Sequence, residues 1–172
     1  MKAVLLSILL SSLPALAHRG EPTRTLRLQL KDNRLEGLLL YRVPPGPEAQ
    51  KLLALPRGAE KLLASRAAAQ ALLGVSLSID GQALSLELGE AKVRLTQAGG
   101  LESLTLLKLS ALPAGAAILE VAAGEPALRV TLGAAGNVKL ELLSGVGTPA
   151  RGGWSLRPRP GRSCRLRLTQ TQ

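Results

Sequence analysis

Few residues in this chain could do chemistry, since it has one histidine and one cysteine. The histidine, His18, directly follows a stretch typical of a secretory signal peptide: a lysine, the uncharged run 3–13 and the small-residue motif Ala15-Leu16-Ala17. Cleavage after Ala17 would give His18 a free α-amino group beside its imidazole, and both nitrogens can bind Cu(II). Two nitrogens do not complete a copper site. The sequence therefore leaves two interpretations of His18, a copper ligand or simply the first residue after the cleavage site.

No arrangement of residues in the sequence matches a catalytic or zinc-binding motif. One histidine and one cysteine cannot form a zinc quartet or a Cys/His catalytic pair, and no serine lies in a G-x-S-x-G elbow. The carboxylates have no spacing that would place two of them as an acid/base pair. The sequence predicts a protein that is not an enzyme, and copper at His18 is the one cofactor that it leaves open.

The single cysteine, Cys164, excludes an internal disulfide. In the run 164–168 strict alternation places its thiol on the same face as Leu166 and Leu168. Buried thiols usually contribute packing, so we expect Cys164 in the core, with a reactive or intermolecular thiol as the alternative.

Positive charge is concentrated at the C-terminal end. The formal net charge is +10, and residues 151–172 contain six arginines and no acidic residue. Alternation places two of these arginines on the outward face of a last strand, and the prolines at 158 and 160 favour an extended, solvated chain before it. Guanidinium groups in such numbers can bind phosphates and other anions in bidentate fashion. The candidate anion-binding surface comprises Arg157, Arg159, Arg162, Arg165 and Arg167.

The partners expected for this surface are an anionic envelope lipid or glycan, or an envelope protein. Nucleic acid is a poor candidate, because only Trp154 is available for stacking on bases and export separates the protein from most nucleic acid. A solvated strand face that binds no ligand and protects a sheet edge is the alternative interpretation of the same arginines.

Length and composition predict one exported β-rich domain. Removing the signal, residues 1–17, from the 172-residue chain leaves residues 18–172, enough for a single hydrophobic core. The longest uncharged run of that part, residues 67–79, is too short to span a bilayer. We therefore expect a periplasmic or extracellular location without a transmembrane segment. Residues 145–172 are rich in Gly, Pro and Arg, and Gly145–Gly153 is expected to be a loose tether.

Two strands are predicted near the start of this domain. In Thr25–Lys31 every second residue is a leucine, which indicates a half-buried strand. Residues Arg34–Val43 are expected to be its hairpin partner across a short turn. Three consecutive leucines in that partner, Leu38–Leu40, are apolar on both faces of the strand and predict burial on both sides.

The remaining elements alternate between helix and strand signals. Residues 48–73 are rich in good helix formers, which predicts a helical hairpin that ends at Gly74. Alternation resumes at Val75, and Asp80-Gly81 is the strongest turn signal in the chain. Further strands are expected at 84–88, 92–97, 101–110, 118–122, 128–132 and 138–143. Many short strands joined by Gly/Pro turns favour a mainly β fold, an antiparallel immunoglobulin-like β-sandwich with the helical hairpin inserted.

The order of the first elements resembles a known family. A strand pair ending at Tyr41–Pro44 is followed by the helical segment and then by a strand closed by Asp80-Gly81. This order resembles the extracytoplasmic N-terminal domain of HupE/UreJ-type membrane proteins, without their membrane helices. The resemblance implies a metal-transport or accessory context. We therefore expect an exported, non-catalytic binding or accessory module of the cell envelope, with a periplasmic copper-binding protein that uses His18 as the alternative.

Overall fold

A computed structural model of the chain describes residues 20–31, 34–54, 58–111, 115–134 and 137–170. Two helices and twelve strands are assigned within these ranges. In chain order they are β1 (Thr23–Lys31), β2 (Arg34–Val43), α1 (Pro47–Leu53), α2 (Glu60–Leu72), β3 (Val75–Ile79), β4 (Gln82–Ala83), β5 (Leu86–Leu95), β6 (Leu101–Ala111), β7 (Ala117–Ala123), β8 (Leu128–Ala134), β9 (Val138–Ser144), β10 (Gly147–Ala150), β11 (Gly153–Leu156) and β12 (Cys164–Gln170).

The strands form two sheets. The seven-stranded sheet has the order β10-β11-β8-β1-β2-β6-β5, and the five-stranded sheet has the order β4-β3-β7-β12-β9. Neighbouring strands in these sheets are antiparallel except for β1 and β8, which are parallel. Buried side chains of both sheets belong to one hydrophobic core. The predicted mainly β sandwich with an inserted helical hairpin is confirmed, whereas its immunoglobulin-like character stays a prediction.

Alternation in β1 and β2 determines which side of the seven-stranded sheet faces the core. The three leucines of β1 are buried, as predicted from their spacing. In β2, Leu39 is also buried, whereas Leu38 and Leu40 point to the opposite side of the sheet and are only partly buried. Leu38–Leu40 were predicted to be buried on both sides of the sheet, but only Leu39, on the inner side, is fully buried.

The helical hairpin covers part of the inner face of the seven-stranded sheet. Helix α2 contacts β5, β2 and β6, and its buried side is made of alanines. Ser103 and Thr105 are buried on the inner side of β6. Small side chains on the helix and on β6 allow the two backbones to approach closely. This explains how a helix that lacks a strong apolar stripe can pack into a sandwich.

The turn at Asp80-Gly81 joins β3 to β4, as predicted. Ile79 lies opposite Gln82, so the hairpin loop has two residues. Both have positive φ, 49° for Asp80 and 80° for Gly81, as a type I′ turn requires. The oxygen Oδ1 of Asp80 also accepts a 2.8 Å hydrogen bond from the backbone N–H of Ile118 in β7.

Strand β5 replaces two of the predicted strands, 84–88 and 92–97, which were wrong as separate elements. After β4 the chain crosses to the seven-stranded sheet, where β5 pairs with β6. The pairing register shifts between Leu88 and Ala91, which marks a β-bulge within one continuous strand. A bulge adds an extra residue and shifts the alternation, so the sequence suggests two strands.

The prediction that Gly145–Gly153 is a loose tether is wrong. Most of this stretch forms β10 and the start of β11, a hairpin that extends the seven-stranded sheet beside β8. A Cβ atom at Gly153 would overlap the carbonyl oxygen of Leu132 in β8. Glycine at this position serves close approach of two strands rather than flexibility, and composition alone does not distinguish the two uses.

Candidate anion-binding site

Arg159 and Arg162 lie directly opposite each other across a tight hairpin between β11 and β12. The backbone N–H of Arg162 donates to the carbonyl oxygen of Arg159 at 2.8 Å, and the reverse hydrogen bond measures 3.2 Å. Pro160 and Gly161 form the turn, with Gly161 in the left-handed region at φ +72°. Residues paired in this way carry their side chains on the same side of the hairpin. The side chains of Arg159 and Arg162 therefore leave this short, closed turn on the same side, and both are exposed.

The hairpin lines a pocket of about 500 Å³ where β9 ends and β12 begins. Arg157 is the third arginine of its wall, and Ser144 and Ser163 add two hydroxyl groups. Within the described ranges, no acidic residue lines this pocket, and no ion pair involves any of its three arginines. We call this site, with Arg157, Arg159 and Arg162, the arginine pocket. Its combination of positive charge and neutral hydrogen-bonding groups suits an anion.

Close packing holds the backbone around the arginine pocket. The N–H of Arg157 donates to the carbonyl oxygen of Val146 at 2.9 Å. Gly145 has φ +101°, and a Cβ atom there would lie 2.8 Å from Sγ of Cys164. Glycine is therefore required at 145 both by its backbone conformation and by its contact with β12. The thiol of Cys164 is buried and lies 3.6 Å from the carbonyl oxygen of Val146, so its predicted burial is confirmed.

The last two candidate arginines lie apart from the arginine pocket, on the outer face of the five-stranded sheet. Arg165 and Arg167 are exposed on β12, as their alternation predicts, but each is next to an acidic residue of a neighbouring strand. Nε of Arg165 lies 4.0 Å from Glu120 in β7, and Nη1 of Arg167 lies 3.1 Å from Glu141 in β9. The structure thus brings three of the five candidate arginines together and pairs the other two with carboxylates.

Two buried titratable side chains have structural partners. The hydroxyl of Tyr41 donates a 2.8 Å hydrogen bond to Glu48 of α1, and burial, followed by this hydrogen bond, raises the pKa of Tyr41 well above its usual value. Among the described residues Arg24 is the largest fully buried side chain, and its guanidinium donates to four backbone carbonyl oxygens. The sequence motifs did not single out Arg24, although it stands two residues before Leu26 and therefore on the inward face of β1.

The copper hypothesis rests on a residue that lies outside the described ranges. His18 and the signal segment 1–17 precede residue 20, so both stay predictions. In the described part of the chain no group of three or more His, Cys, Asp or Glu side chains is placed to hold a metal ion. The helices described in this structure are too short or too polar to cross a membrane.

Comparison with known proteins does not indicate a function, so the proposal below depends on the geometry of the site. No protein-family model matches this sequence, and no curated protein is significantly similar to it. The resemblance to the extracytoplasmic domain of HupE/UreJ-type proteins therefore stays a prediction.

Proposed function

We propose that this chain is an exported, non-catalytic binding module of the cell envelope and that the arginine pocket holds the anionic group of its ligand. The observation that supports this proposal is the direct opposition of Arg159 and Arg162 across a closed hairpin. Like charges placed opposite each other destabilise a pair of strands. An anion bound between them offsets that repulsion, and Arg157 adds a third donor group to the same pocket.

The chemistry of the pocket favours a phosphate or sulfate group over a protein side chain. Among the described lining residues, Val146 is the one sizeable apolar side chain at the surface, so the pocket offers little to a peptide. Guanidinium groups bind phosphate and sulfate oxygens in bidentate fashion, and the hydroxyls of Ser144 and Ser163 supply further donors. The group is expected to belong to an anionic lipid or to an acidic glycan of the envelope.

Vesicle binding tests the proposal and separates the two sources of the anion. The protein beginning at His18 is mixed with vesicles of phosphatidylcholine alone or with added phosphatidylglycerol, and in a parallel arm with heparin as a sulfated glycan. We expect salt-sensitive binding to one of these anionic probes and none to phosphatidylcholine. Absence of binding to both anionic probes contradicts the proposal.

Two double variants distinguish a built pocket from general positive charge. Arg159→Gln with Arg162→Gln removes the opposed pair, and Arg165→Gln with Arg167→Gln removes the same net charge from the outer face of the five-stranded sheet. We expect the first variant to lose at least tenfold in affinity, because each lost bidentate contact is worth more than about 1 kcal/mol. The second should stay close to the unmodified protein. Equal losses in both variants would show that binding depends on net charge alone.

Export is a separate part of the proposal and has its own measurement. The segment before His18 has the composition of a secretory signal, which supports cleavage after Ala17. Mass determination of the protein recovered from outside the cytoplasm should give a chain that starts at His18. A recovered chain that still begins at Met1 contradicts cleavage after Ala17, and protein found in the cytoplasm alone contradicts export. Neither result affects the arginine pocket.

A further inference from the structure

The outer face of the seven-stranded sheet carries a patch of four leucines. Leu38 lies opposite Leu106, and Leu40 lies opposite Leu104, so the four side chains form one contiguous group on β2 and β6. Leu104 and Leu106 are 42% and 50% exposed. The solvent-facing side of a sheet usually carries polar residues, and four neighbouring leucines there indicate a surface that another molecule covers.

Two rows of charged residues with opposite sign patterns border this patch. At one end, β2, β6 and β5 contribute a positive, a negative and a positive side chain in that order. At the other end the same three strands contribute a negative, a positive and a negative side chain. Pairing between the strands places each row side by side: Arg42, Glu102 and Arg94 in the first row, and Glu36, Lys108 and Glu87 in the second.

Contacts within one chain support the alignment of the first row. Nε of Arg42 lies 2.8 Å from Oε1 of Glu102, and Nε of Arg94 donates to Oε2 of the same carboxylate at 2.6 Å. Both arginines remain largely exposed, with 59% and 77% of their side chains accessible. Arg42 and Arg94 are therefore still exposed to solvent, although both are paired with Glu102 between them.

We propose that this face binds a second copy of the chain about a two-fold axis that runs across the strands through the leucine patch. Such an axis places β2 on β2 and inverts the direction along the strands. The first row of one copy then lies over the second row of the other, so Arg42 faces Glu36, Glu102 faces Lys108 and Arg94 faces Glu87. All three contacts join opposite charges, and symmetry repeats them at the other end.

The alternative two-fold axis, parallel to the strands, fits the charges less well. Placed between β2 and β6, it would still join Arg42 to Glu102 and Glu36 to Lys108, but β5 would lie over β1, so Arg94 and Glu87 would face the uncharged Thr23 and Gln29. Placed along β6, it would put β2 over β5 and bring Arg42 of one copy against Arg94 of the other, with Glu36 against Glu87 at the opposite end. Like charges brought together across an interface oppose binding. Charge complementarity therefore favours the axis across the strands and a closed pair of copies.

The size of the face indicates a weak dimer. From Glu36 to Arg42 it extends about 20 Å along the strands, and the three strands span about 10 Å. A stable interface buries roughly 800 Å² on each partner, which is more than this face offers without its long charged side chains. We therefore expect association that depends on protein concentration and weakens as salt is added.

Sedimentation equilibrium of the protein beginning at His18, from micromolar to near-millimolar concentration, tests the dimer. The unmodified chain should pass from monomer to dimer and stop there. Leu106→Thr is expected to raise the dissociation constant by about tenfold or more, because it removes apolar contact from both copies. Leu95→Thr, a change of the same kind at a residue that is 62% exposed outside the patch, should leave it unchanged.

A charge exchange tests the orientation of the two copies. Glu36→Lys and Arg42→Glu should each weaken self-association, because each brings like charges together in the pair of identical copies. Mixing the two variants should restore a dimer, since every contact between the unlike copies again joins opposite charges. The pair Glu87→Lys and Arg94→Glu offers the same test on β5 if melting curves show that either β2 variant fails to fold.

Three results would overturn the proposal. The first is a protein that stays monomeric at near-millimolar concentration or that forms assemblies larger than two copies. The second is equal effects of Leu106→Thr and Leu95→Thr. The third is a mixture of the folded charge variants that associates no better than either variant alone.

Discussion

The guanidinium of Arg24 in β1 donates a hydrogen bond to the carbonyl oxygen of Leu73, 2.6 Å away just beyond the end of α2. The same group donates to the carbonyls of Ala71 at 3.2 Å and Gly124 at 2.6 Å, and to that of Pro126. The last turn of α2 contains no basic residue of its own. Arg24 therefore supplies, from another element, the cation that favours a helix C-terminus and links α2 to the loop between β7 and β8.

Replacing Arg24 should strongly destabilise the fold. Arg24→Met keeps much of the side-chain length but leaves four backbone carbonyls without their donor, so we expect the free energy of unfolding to fall by about 3 kcal/mol. Arg24→Lys should lie between the unmodified protein and Arg24→Met, because an ammonium group has fewer donors than a guanidinium. Urea denaturation measures these changes. Arg27→Met, on the exposed side of the same strand, is the control and should have little effect.

Removing the hydroxyl of Thr105 should stabilise the protein. Its Oγ1 is buried under α2 and has no hydrogen-bond partner among the described residues. Thr105→Val replaces this hydroxyl by a methyl group of similar shape, and we expect the free energy of unfolding to rise by about 1 kcal/mol. Thr105→Ser keeps the hydroxyl and loses the methyl, so it should destabilise. A lower stability for Thr105→Val in urea denaturation would mean that the hydroxyl is satisfied in solution.

The stability of the protein at acidic pH should depend on the ionisation of Glu102. The hydrogen bond from Arg94, together with the charges of Arg94 and Arg42, lowers the pKa of Glu102 below its usual range. Because the pKa is lower in the folded state, the ionised carboxylate contributes stability above the unfolded value of about 4.3 and loses it as the pH falls through the folded value. Glu102→Gln should therefore melt at a lower temperature than the unmodified protein at neutral pH. The gap should narrow as the pH falls below about 4.3 and through the lowered folded-state pKa, and a gap independent of pH would contradict the assignment.

A copper titration decides between the two interpretations of His18. If the α-amino group and the imidazole bind Cu(II) together, the protein that begins at His18 should bind one ion tightly. A version with one extra residue before His18 moves the amino group away and should bind more weakly. Isothermal titration with CuCl₂ measures both. Equal, weak binding by the two proteins would remove copper from consideration and would leave the arginine pocket unaffected.

Hydrophobic periodicity correctly predicted the strands that have one apolar and one polar face. The leucines of β1 and the alternating residues of β12 gave correct strands and correct inward faces, including the burial of Cys164. Arg24 has the same parity as Leu26 and could have been placed in the core on that signal. A buried arginine is rare without partners, however. The partners of Arg24 are backbone carbonyls, and because every residue carries one, the sequence does not show which of them would bind it.

Pairing between distant segments could not be predicted from one sequence. Five of the six arginines near the end were predicted to form a single anion-binding surface. Arg165 and Arg167 acquire Glu120 and Glu141 as partners only through the order of strands β7, β12 and β9. The prediction of an extended, solvated chain around Pro158 and Pro160 is wrong, because Pro158 is buried and residues 159–162 form a hairpin. This hairpin could have been recognised, because Pro followed by Gly is a strong turn signal. A two-residue turn at that position is enough to place the flanking residues, Arg159 and Arg162, opposite each other.

The opposed arginines should also reveal themselves through stability at low salt. Without a bound anion, Arg159→Gln removes repulsion between two like charges on the hairpin, and we expect it to raise the free energy of unfolding by a few tenths of a kcal/mol. Arg167→Gln removes an ion pair with Glu141 and should lower stability slightly or leave it unchanged. Melting temperatures measured with and without added sulfate show whether the two variants change the stability in opposite directions. Sulfate should stabilise the unmodified protein more than Arg159→Gln, because the anion binds the folded pocket. If Arg159→Gln melts at a lower temperature than the unmodified protein when no sulfate is present, the two guanidinium groups do not repel each other.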